Sequence, residues 1–511
     1  MPALQSAACL QQPWAPDVPR RVVRLQLASW DELAQHVAAA GGAPTAFVIS
    51  AAGGGSLTAS KPLTISTPGV VITSHASLLP GSSAAAPGAG RTALLEVACA
   101  PDAGSALRVS GTAAQLHGLS FTGCGSSAVV ARDASLWLNH CSFSDNSAGS
   151  GRGGGALAAH NSRVYISDSS FARNSASGSI GGGALYIDGA PTAAQGSSSC
   201  WAADQAAHIS DSSFQANAAR FGGALHVEGA SLRLDACKGS GNQASATGGF
   251  LFANTSSSIV VTGSRVTANV AALLGGAFAA RAGSSLSIEA STVSSNTAGT
   301  GAGGVYTAAS SLRTEGSTFS NNLAKRDGGA LYCAGGCTWR LSGTTLDTNS
   351  AQTGHGGAMF AWGASVTLEG VDMLHNSAGL LGGGASFANT SVSVTGGMLR
   401  GNTAPGSDGA GGALYMQGCR AARLQQVHLH DNAATWGGAV YATNGSIAIQ
   451  GCQLVNSTAT SAGGALYLRS TPANITYTKF TLNVVRACAP GTPSPPPGSP
   501  AGGLPAWLAA E

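Results

Sequence analysis

Four acidic residues recur at one position of a regular spacing and could place carboxylates on a single surface. Each lies seven residues before an asparagine: Asp235, Glu289, Glu315 and Glu369. Arg233 and Arg313 each lie two residues before one of these acids. Carboxylates gathered beside an arginine suit calcium-assisted lysis of acidic polysaccharides, and a pair at a fixed separation suits glycoside hydrolysis. The pattern equally describes a solvated face with exposed ion pairs, which stabilise little. We favour this second interpretation over a polar stripe that binds sugars or cations.

Two short motifs resemble those of polysaccharide-cleaving enzymes. Trp137-Leu-Asn-His140 is similar to the Trp-Ile-Asp-His motif of pectate lyases, but Asn139 stands where the acid belongs. Gly354-His355-Gly356 is similar to the Gly-His-Gly of polygalacturonases, but it lies inside a repeated glycine pair. The partner motifs of both families are missing. We therefore predict no catalytic residue, no cofactor and no metal site, and we keep a polysaccharide lyase or glycoside hydrolase as the alternative.

A repeat must position all of these residues. A Gly-Gly-Ala opener recurs from Gly155 to Gly464, with steps of 25 to 28 residues and one step of 40 between Gly183 and Gly223. A closing asparagine recurs in the same phase, and we predict that its side chains form one ladder along the molecule. These asparagines are Asn146, Asn174, Asn217, Asn242, Asn269, Asn296, Asn322, Asn349, Asn376, Asn402, Asn432, Asn456 and Asn483.

Within each repeat, apolar residues alternate with polar ones. Val164 and Ile166 precede Asn174 by ten and eight residues, and the same two positions are aliphatic in most other repeats. Period two with one apolar face predicts short strands. A unit this small must bury that face against copies of itself. The repeat length fits one coil of a parallel β-helix with three strands and three turns, so the fold class is all-β, and thirteen coils would form a rod of roughly 60 Å.

The paired motifs resemble the repeats of polymorphic outer-membrane proteins, which are autotransporter adhesins. The Phe-x-x-Asn form occurs in full at Phe143, Phe171, Phe214, Phe319 and Phe480. The resemblance covers about Leu136 to Asn483 and implies a right-handed parallel β-helix of the pectin-lyase-like superfamily. It further implies a location outside the cell or at its surface. The function that we predict is a non-enzymatic rod for adhesion, wall structure or ligand display.

The chain divides into three predicted regions. Residues 1–28 are an irregular segment, residues 29–483 are the β-helix, and residues 484–511 are a proline-rich tail. Inside the β-helix we predict a capping helix at 29–45, irregular coils at 46–135 and regular coils at 136–483. Ser29-Trp-Asp-Glu32 reads as a capping box that opens a helix from Trp30 to Ala40. Because no secretory signal is visible and the tail reads as a spacer, we expect the chain to be a fragment of a longer protein.

Composition excludes several partners. Only 9% of residues are charged and the net charge is +3, so no nucleic-acid footprint exists. No apolar run resembles a membrane span. We predict a monomer whose partners are polysaccharides or components of a cell surface or wall. The long step carries an insertion at about Asp188 to Ala206, and its Cys200 and Trp201 are candidate binding residues, although a tolerated surface loop is the simpler interpretation.

Cysteines and sequons are the remaining candidates for modification. Cys333 with Cys337, and Cys124 with Cys141, are candidate disulfide pairs, and the other cysteines fit equally well as small core residues. Asn-x-Ser/Thr sequons give four candidate glycosylation sites: Asn254, Asn389, Asn444 and Asn474. A fifth sequon, at Asn456, coincides with the predicted ladder and is excluded for that reason.

Overall fold

The chain winds into one parallel solenoid. The computed structural model describes residues 21–75, 94–149, 151–189 and 205–486. Within them the backbone forms a right-handed parallel β-helix of about 16 turns, and helix accounts for 3% of the structure. Each strand pairs in parallel with the equivalent strands of the coils before and after it, as Leu232–Asp235 does with Ile259–Thr262. The all-β, right-handed β-helix prediction is confirmed.

Four sheets, and not the three predicted, run along the rod. From Ser135 onwards the chain passes through sheets A, B, D and C in turn, whereas the described coils before Ser135 have no strand in sheet D. The strands of sheet D are mostly two residues long. The sequence pattern missed sheet D because two residues are too few to show alternation.

Sheet A contains Arg21–Leu27, Thr45–Ala51, Val70–Thr73, Ala113–His117, Ser135–Asn139, Arg163–Ser167, Ala207–Ser210, Ser231–Asp235, Ser258–Thr262, Ser285–Glu289, Ser311–Glu315, Thr338–Ser342, Ser365–Glu369, Ser391–Thr395, Ala422–Gln425, Ile447–Gln450 and Ala473–Thr476. Sheet B contains Leu57–Ala59, Leu95–Cys99, Leu119–Thr122, Ser142–Ser144, Ser170–Ala172, Ser213–Gln215, Lys238–Ser240, Arg265–Thr267, Thr292–Ser294, Thr318–Ser320, Thr345–Asp347, Asp372–Leu374, Met398–Arg400, His428–His430, Gln453–Val455 and Lys479–Thr481. Sheet C contains Leu63–Ile65, Leu107–Ser110, Val129–Arg132, Leu157–His160, Leu185–Asp188, Leu225–Glu228, Leu251–Asn254, Phe278–Ala280, Val305–Thr307, Leu331–Ala334, Met359–Trp362, Ala385–Ala388, Leu414–Gln417, Val440–Thr443 and Leu466–Arg469. Sheet D contains Ser147–Ala148, Ser175–Ala176, Ala218–Phe221, Gln243–Thr247, Val270–Ala271, Thr297–Ala298, Leu323–Ala324, Ser350–Ala351, Ser377–Ala378, Thr403–Ala404, Ala433–Trp436, Thr458–Ala462 and Val484–Val485.

A short cap closes the N-terminal end. A 3-10 turn at Trp30–Glu32 leads into an α-helix at Leu33–Ala39, and a second 3-10 turn lies at Ala52–Gly54. Trp30 is fully buried and its indole N–H donates to the carbonyl oxygen of Ala106 at 3.0 Å. This burial anchors the helix over the first coils and covers apolar side chains that would otherwise face water.

Two details of this end differ from the sequence analysis. The hydroxyl of Ser29 makes no capping hydrogen bond, and the Glu32 carboxylate accepts the N–H of Ala28 at 3.0 Å instead of that of Ser29, so the predicted capping box does not form. Residues 21–27, which we predicted to be irregular, are a strand that pairs along its length with Thr45–Ala51. Its alternation of Val23, Leu25 and Leu27 was overlooked because it precedes the regular repeats.

Identical or similar side chains stack inside the rod. The inward aliphatic side chains of sheet A and the phenylalanines of sheet B are buried except in the first strand and in the last described coil, where Ile475 and Phe480 are exposed. The rings of Phe143 and Phe171 stack at 5.1 Å. Gly239 interrupts that column, and the ring of Phe250 fills the space beside it. A Cβ on Gly239 would lie only 2.6 Å from that ring. Phe250 stands where most other coils have the opener alanine. Core volume is therefore conserved within a coil, as close packing requires.

The asparagine ladder forms in the turn between sheets B and D. From Asn146 to Asn402, each buried asparagine makes two hydrogen bonds to the asparagine of the next coil. Its side-chain Nδ2 and its own backbone N–H both donate to the Oδ1 of that next asparagine. The Nδ2 of Asn269, for example, lies 2.9 Å from the Oδ1 of Asn296. Each amide thus satisfies backbone groups that the turn would leave unpaired in the interior.

Asn456 does not belong to this ladder, contrary to the prediction. Ser457 occupies the position after Asn432, is fully buried, and donates its backbone N–H to the Oδ1 of Asn483 at 2.9 Å. Asn456 is exposed with a φ of 52° and donates from Nδ2 to Asp431. The strand Gln453–Val455 pairs with His428–His430, and this register shifts the asparagine one residue out of the column.

The two opener glycines have different roles. From Gly222 onwards the first usually takes a positive φ, which is 61° at Gly222 itself, whereas Gly154 and Gly182 do not. The second leaves no room for a side chain, because a Cβ on Gly223 would overlap the carbonyl oxygen of Gly249 in the next coil. Adjacent backbones therefore approach most closely at this turn, and only glycine permits it.

A second apolar layer covers the outer face of sheet C. The outward side chains at the middle of its strands are in register and mostly aromatic: Tyr186, His226, Phe252, Tyr306, Tyr332, Phe360, Tyr415, Tyr441 and Tyr467. The loop after sheet D folds over them, so that Leu274 packs among Phe252, Tyr306 and Tyr332. We call this set the outer aromatic column.

Candidate functional site

The four acids of the predicted stripe lie in one file on the outer face of sheet A. Register places Glu289 directly beside Glu315, whereas Asp235 and Glu369 are separated from their nearest members by one intervening coil. Strands in a sheet lie about 4.8 Å apart, so neighbouring members of the file are at least one such spacing apart. The file is therefore an extended polar surface, not a compact cluster.

Local partners neutralise part of this file. Burial alone would raise the pKa of Asp235, but its hydrogen bonds to His208 at 2.8 Å and Arg233 at 2.7 Å hold the pKa below its usual range. Arg313 pairs with Glu315 at 2.6 Å, and both side chains are more than half exposed. The Arg313–Glu315 contact is an exposed ion pair of the simpler interpretation and contributes little to stability, whereas Asp235 and His208 are largely buried.

The two enzyme-like motifs do not assemble into a site with the acids. Trp137 lies on the outer face of sheet A and stacks on Tyr165 at 6.2 Å, while Asn139 donates to Ser167 at 2.7 Å. His355 lies in a loop beside sheet C, where its Nδ1 is 2.9 Å from an oxygen of Asp327. Each motif residue is thus engaged by its own neighbouring coil.

A different group of charged residues does converge. It consists of Arg152, His160, Asp188 and Glu228, and we call it the corner cluster. The last three end consecutive strands of sheet C and are register partners of one another. The sequence analysis missed them, although a signal was present, since each is the fifth residue after the second glycine of its opener.

Hydrogen bonds hold the corner cluster in place. Nδ1 of His160 lies 3.0 and 3.1 Å from the two carboxylate oxygens of Asp188. The hydroxyl of Tyr186 donates to Oε2 of Glu228 at 2.8 Å, and Nη1 of Arg152 lies 3.5 Å from the same oxygen. Both carboxylates are therefore oriented by fixed donors and keep unused acceptor positions.

The inner wall of the cluster is the start of the outer aromatic column. Burial and the bond to Glu228 raise the pKa of Tyr186, which keeps its hydroxyl protonated as a donor. His226 is 3% exposed, packs against Tyr186 at 5.3 Å, and burial lowers its pKa to about 4. The imidazole is thus neutral at physiological pH, so the charge of the cluster comes from its outer residues alone.

A surface cavity of about 460 Å³ lies at the corner cluster. Asn161, Gly189, Gly229 and Thr255 complete its lining. The volume falls in the range of small-ligand sites, and the walls combine acceptors with donors. Gly189 precedes the insertion, whose candidate residues Cys200 and Trp201 lie outside the described residues.

Of the two predicted disulfides, Cys333–Cys337 forms and Cys124–Cys141 does not. Cys333 and Cys337 form a disulfide across their short turn. Cys124 is bonded to Cys99 of the preceding coil and not to Cys141, which is buried as a free thiol. Cys141 points into the corner between sheets A and B, where its Sγ donates to the carbonyl oxygen of Leu116, and burial raises its pKa to about 12.

Most sequons lie on accessible corners. Asn389 and Asn444 are exposed, directly follow strands of sheet C, and have φ values of 49° and 54°. Asn474 is exposed on sheet A, whereas Asn254 is half-buried at the end of its strand. Asn456 is exposed as well, so the ladder gives no reason to exclude it.

Comparison with known proteins supports the repeat. Residues 316–334 match the repeat of Chlamydia polymorphic membrane proteins, and this segment holds both Phe319-x-x-Asn322 and a Gly-Gly-Ala opener. No curated protein and no solved structure matches the chain. In the described ranges, no helix is long and apolar enough to cross a membrane, and no three His, Cys, Asp or Glu side chains are grouped to hold a metal ion. The repeats of this β-helix are thus similar to those of the polymorphic membrane proteins.

Proposed function

We propose that this chain is a non-enzymatic rod, outside the cell or at its surface, that displays its lateral faces for adhesion, wall structure or ligand binding. The observation that carries the proposal is the division of labour between the two sides of each strand. Inward residues form buried ladders, while the acids and arginines of sheet A lie in outward files whose members are one to three coils apart. A rigid, regularly spaced polar face suits the binding of an extended partner over several coils.

Three further observations support a location outside the cell. The repeat is similar to that of membrane proteins of Chlamydia. Two disulfides, Cys99–Cys124 and Cys333–Cys337, suit an oxidising compartment. The sequons at Asn389, Asn444 and Asn474 are exposed, as glycan attachment requires.

The decisive experiment is an assay of the purified chain with polygalacturonate, with and without calcium. Unsaturated product is followed by absorbance and hydrolysis by new reducing ends. We expect neither lysis nor hydrolysis. The acids of sheet A are spread along the rod, and the enzyme-like motifs at His140 and His355 lack the partner motifs of their families. Turnover that disappears in His140→Ala, His355→Ala or Glu315→Gln would refute the non-enzymatic proposal.

One observation favours the enzymatic alternative enough to be tested beside it. Asp188 and Glu228 are carboxylates on adjacent strands, with Arg152 at Glu228, and two carboxylates across a glycosidic bond are the usual hydrolytic pair. The same reducing-end assay with Asp188→Asn and Glu228→Gln decides the matter. Activity lost in both variants would make the corner cluster a hydrolytic site.

A further inference from the structure

We propose that the corner cluster is a binding site for one neutral sugar unit of a glycan. The inference rests on the proposed function, since it names a ligand class for a rod that binds without turnover. Within a chain that is only 9% charged, His160, Asp188 and Glu228 occupy one register position on three consecutive coils. Their side chains line the same cavity of about 460 Å³.

The existing contacts disfavour charged ligands. A cation would compete with Arg152 at Glu228 and with His160 at Asp188, which already occupy the positions next to the carboxylates. An anion would meet two carboxylates on adjacent strands, at about one strand spacing. A metal ion would need more convergent ligands, and no such group of three exists in the part of the chain that the structure describes.

Hydroxyl groups fit the remaining hydrogen-bonding capacity. A carboxylate offers about four acceptor positions, and the Oε1 atom of Glu228 has no partner among the described residues. The guanidinium of Arg152 and the hydroxyl of Thr255 add groups that can donate, and Nε2 of His160 accepts when Nδ1–H donates to Asp188. A sugar hydroxyl both donates and accepts, so it can bond to each kind of wall. Bonds from hydroxyls to a carboxylate are charge-assisted and hence the stronger ones.

The shape of the cavity agrees with this assignment. Gly189 and Gly229 form part of its wall; the Asn161 side chain lies against Gly189, whereas beside Gly229 a Cβ would meet only the carbonyl oxygen of Thr255, at 3.7 Å. Arg152 reaches over the wall from the loop before its own sheet C strand, and its side chain is 56% exposed. The site is thus open towards solvent on one side, which allows a single residue of a longer glycan to enter while the rest of the glycan extends along the rod.

Calorimetric titration of the full chain with cellohexaose, mannohexaose and hexagalacturonate tests the proposal. We expect one of the neutral hexamers to bind and hexagalacturonate to bind more weakly. Glu228→Gln keeps the shape of the site and removes the charge, so it should weaken the binding about tenfold or more, the difference between charged and neutral hydrogen bonds. Asp188→Asn should act in the same direction. Glu96→Gln, an exposed carboxylate on sheet B, is the matched control and should bind like the wild type.

Several outcomes would overturn the inference. Binding of neutral hexamers that survives in Glu228→Gln and Asp188→Asn would place the sugar elsewhere on the rod. Tighter binding of hexagalacturonate, or no binding of either neutral hexamer, would also refute it. The polygalacturonate turnover assay decides the non-enzymatic proposal separately, so the two can fail independently. Unfolding temperatures of the variants show whether each remains folded.

Discussion

Removing one rung of the asparagine ladder should destabilise the rod far more than removing an exposed asparagine that has a similar place in the sequence. In Asn296→Ala the lost side chain accepts the N–H and the Nδ2 of Asn269, each at 2.9 Å. It also donates to the carbonyl oxygen of Val266 at 3.1 Å and to Oδ1 of Asn322 at 3.0 Å.

The magnitude follows from the groups left without partners. The Nδ2 of Asn269 keeps the carbonyl oxygens of Gly239 and Thr267, and the Oδ1 of Asn322 keeps the backbone N–H of residue 296. In the buried interior, the backbone N–H of Asn269 and one acceptor position of the Val266 carbonyl oxygen lose their hydrogen-bond partner. At about 1–3 kcal/mol for each such group, the loss should be about 2–6 kcal/mol.

Asn456→Ala is the matched control. That residue is exposed, and alanines occupy comparable left-handed positions at Ala216 and Ala268, so the change should be within about 1 kcal/mol. A solenoid need not unfold in one step, so amide hydrogen exchange at individual residues is the suitable assay. We expect the Asn269 amide to lose protection in Asn296→Ala alone. Unchanged exchange at Asn269, or equal losses in both variants, would refute this account of the ladder.

Three further predictions concern buried side chains. Val394→Asp buries an unpaired charge at a position that is 1% exposed and should lower the free energy of unfolding by several kcal/mol. Arg313→Ser changes an exposed side chain and should lower it by under about 0.5 kcal/mol. Equal shifts in the urea midpoint would mean that the inward and outward faces of the strands are reversed. His226 has a folded pKa of about 4, below its ordinary value, so its contribution is complete above about pH 6.5 and is lost as the pH falls towards 4. The wild type should lose about 2 kcal/mol through this residue between pH 7 and pH 5, and His226→Phe, tested by thermal unfolding at both values, should remove that part; an unchanged pH dependence would contradict it. Burial raises the pKa of Cys237 to about 12, so its thiol should resist Ellman's reagent at pH 8 in the folded protein and react in urea; rapid labelling of the native chain would show that this corner is open.

Much of the architecture was readable from the sequence because ladders demand the same residue type in every coil. Asn269 and Asn296 bond to each other, so the asparagine must recur. The second glycine of each opener recurs for the equally local reason that adjacent backbones approach too closely for a Cβ. Requirements of this kind produce a visible period, and the fold class follows from the period.

Register was less readable, because spacing alone does not decide between neighbouring residues. Asn456 and Ser457 are adjacent, and either side chain is polar enough for the ladder position. Pairing of Gln453–Val455 with His428–His430 selects Ser457. The disulfide partner of Cys124 could not be predicted for a related reason. The stacking of the irregular coils decides that Cys99, and not Cys141, faces Cys124.

The candidate site was the least predictable part. Alternation separates inward from outward residues, but it does not tell which outward residues a later loop will cover. Tyr186 and His226 both point outward from sheet C, yet both are buried beneath that loop. The corner cluster depends on this cover, because Tyr186 is held where its hydroxyl reaches Glu228. Its three register partners share one position after the second glycine of their openers, but the pairing of the sheet C strands is needed to show that they are neighbours.

The ladders also constrain how such a chain can change in length during evolution. An asparagine rung contacts equivalent atoms in the coils on both sides, as Asn296 does with Asn269 and Asn322. Deleting or duplicating one complete coil brings equivalent rungs together again and preserves every ladder at once. Deleting half a coil would set the asparagine turn against the glycine turn and disrupt all of them. Variants with a longer or shorter rod should therefore differ by whole repeats, in steps of about 4.8 Å, while loops between strands can vary in length as the insertion after Gly183 does.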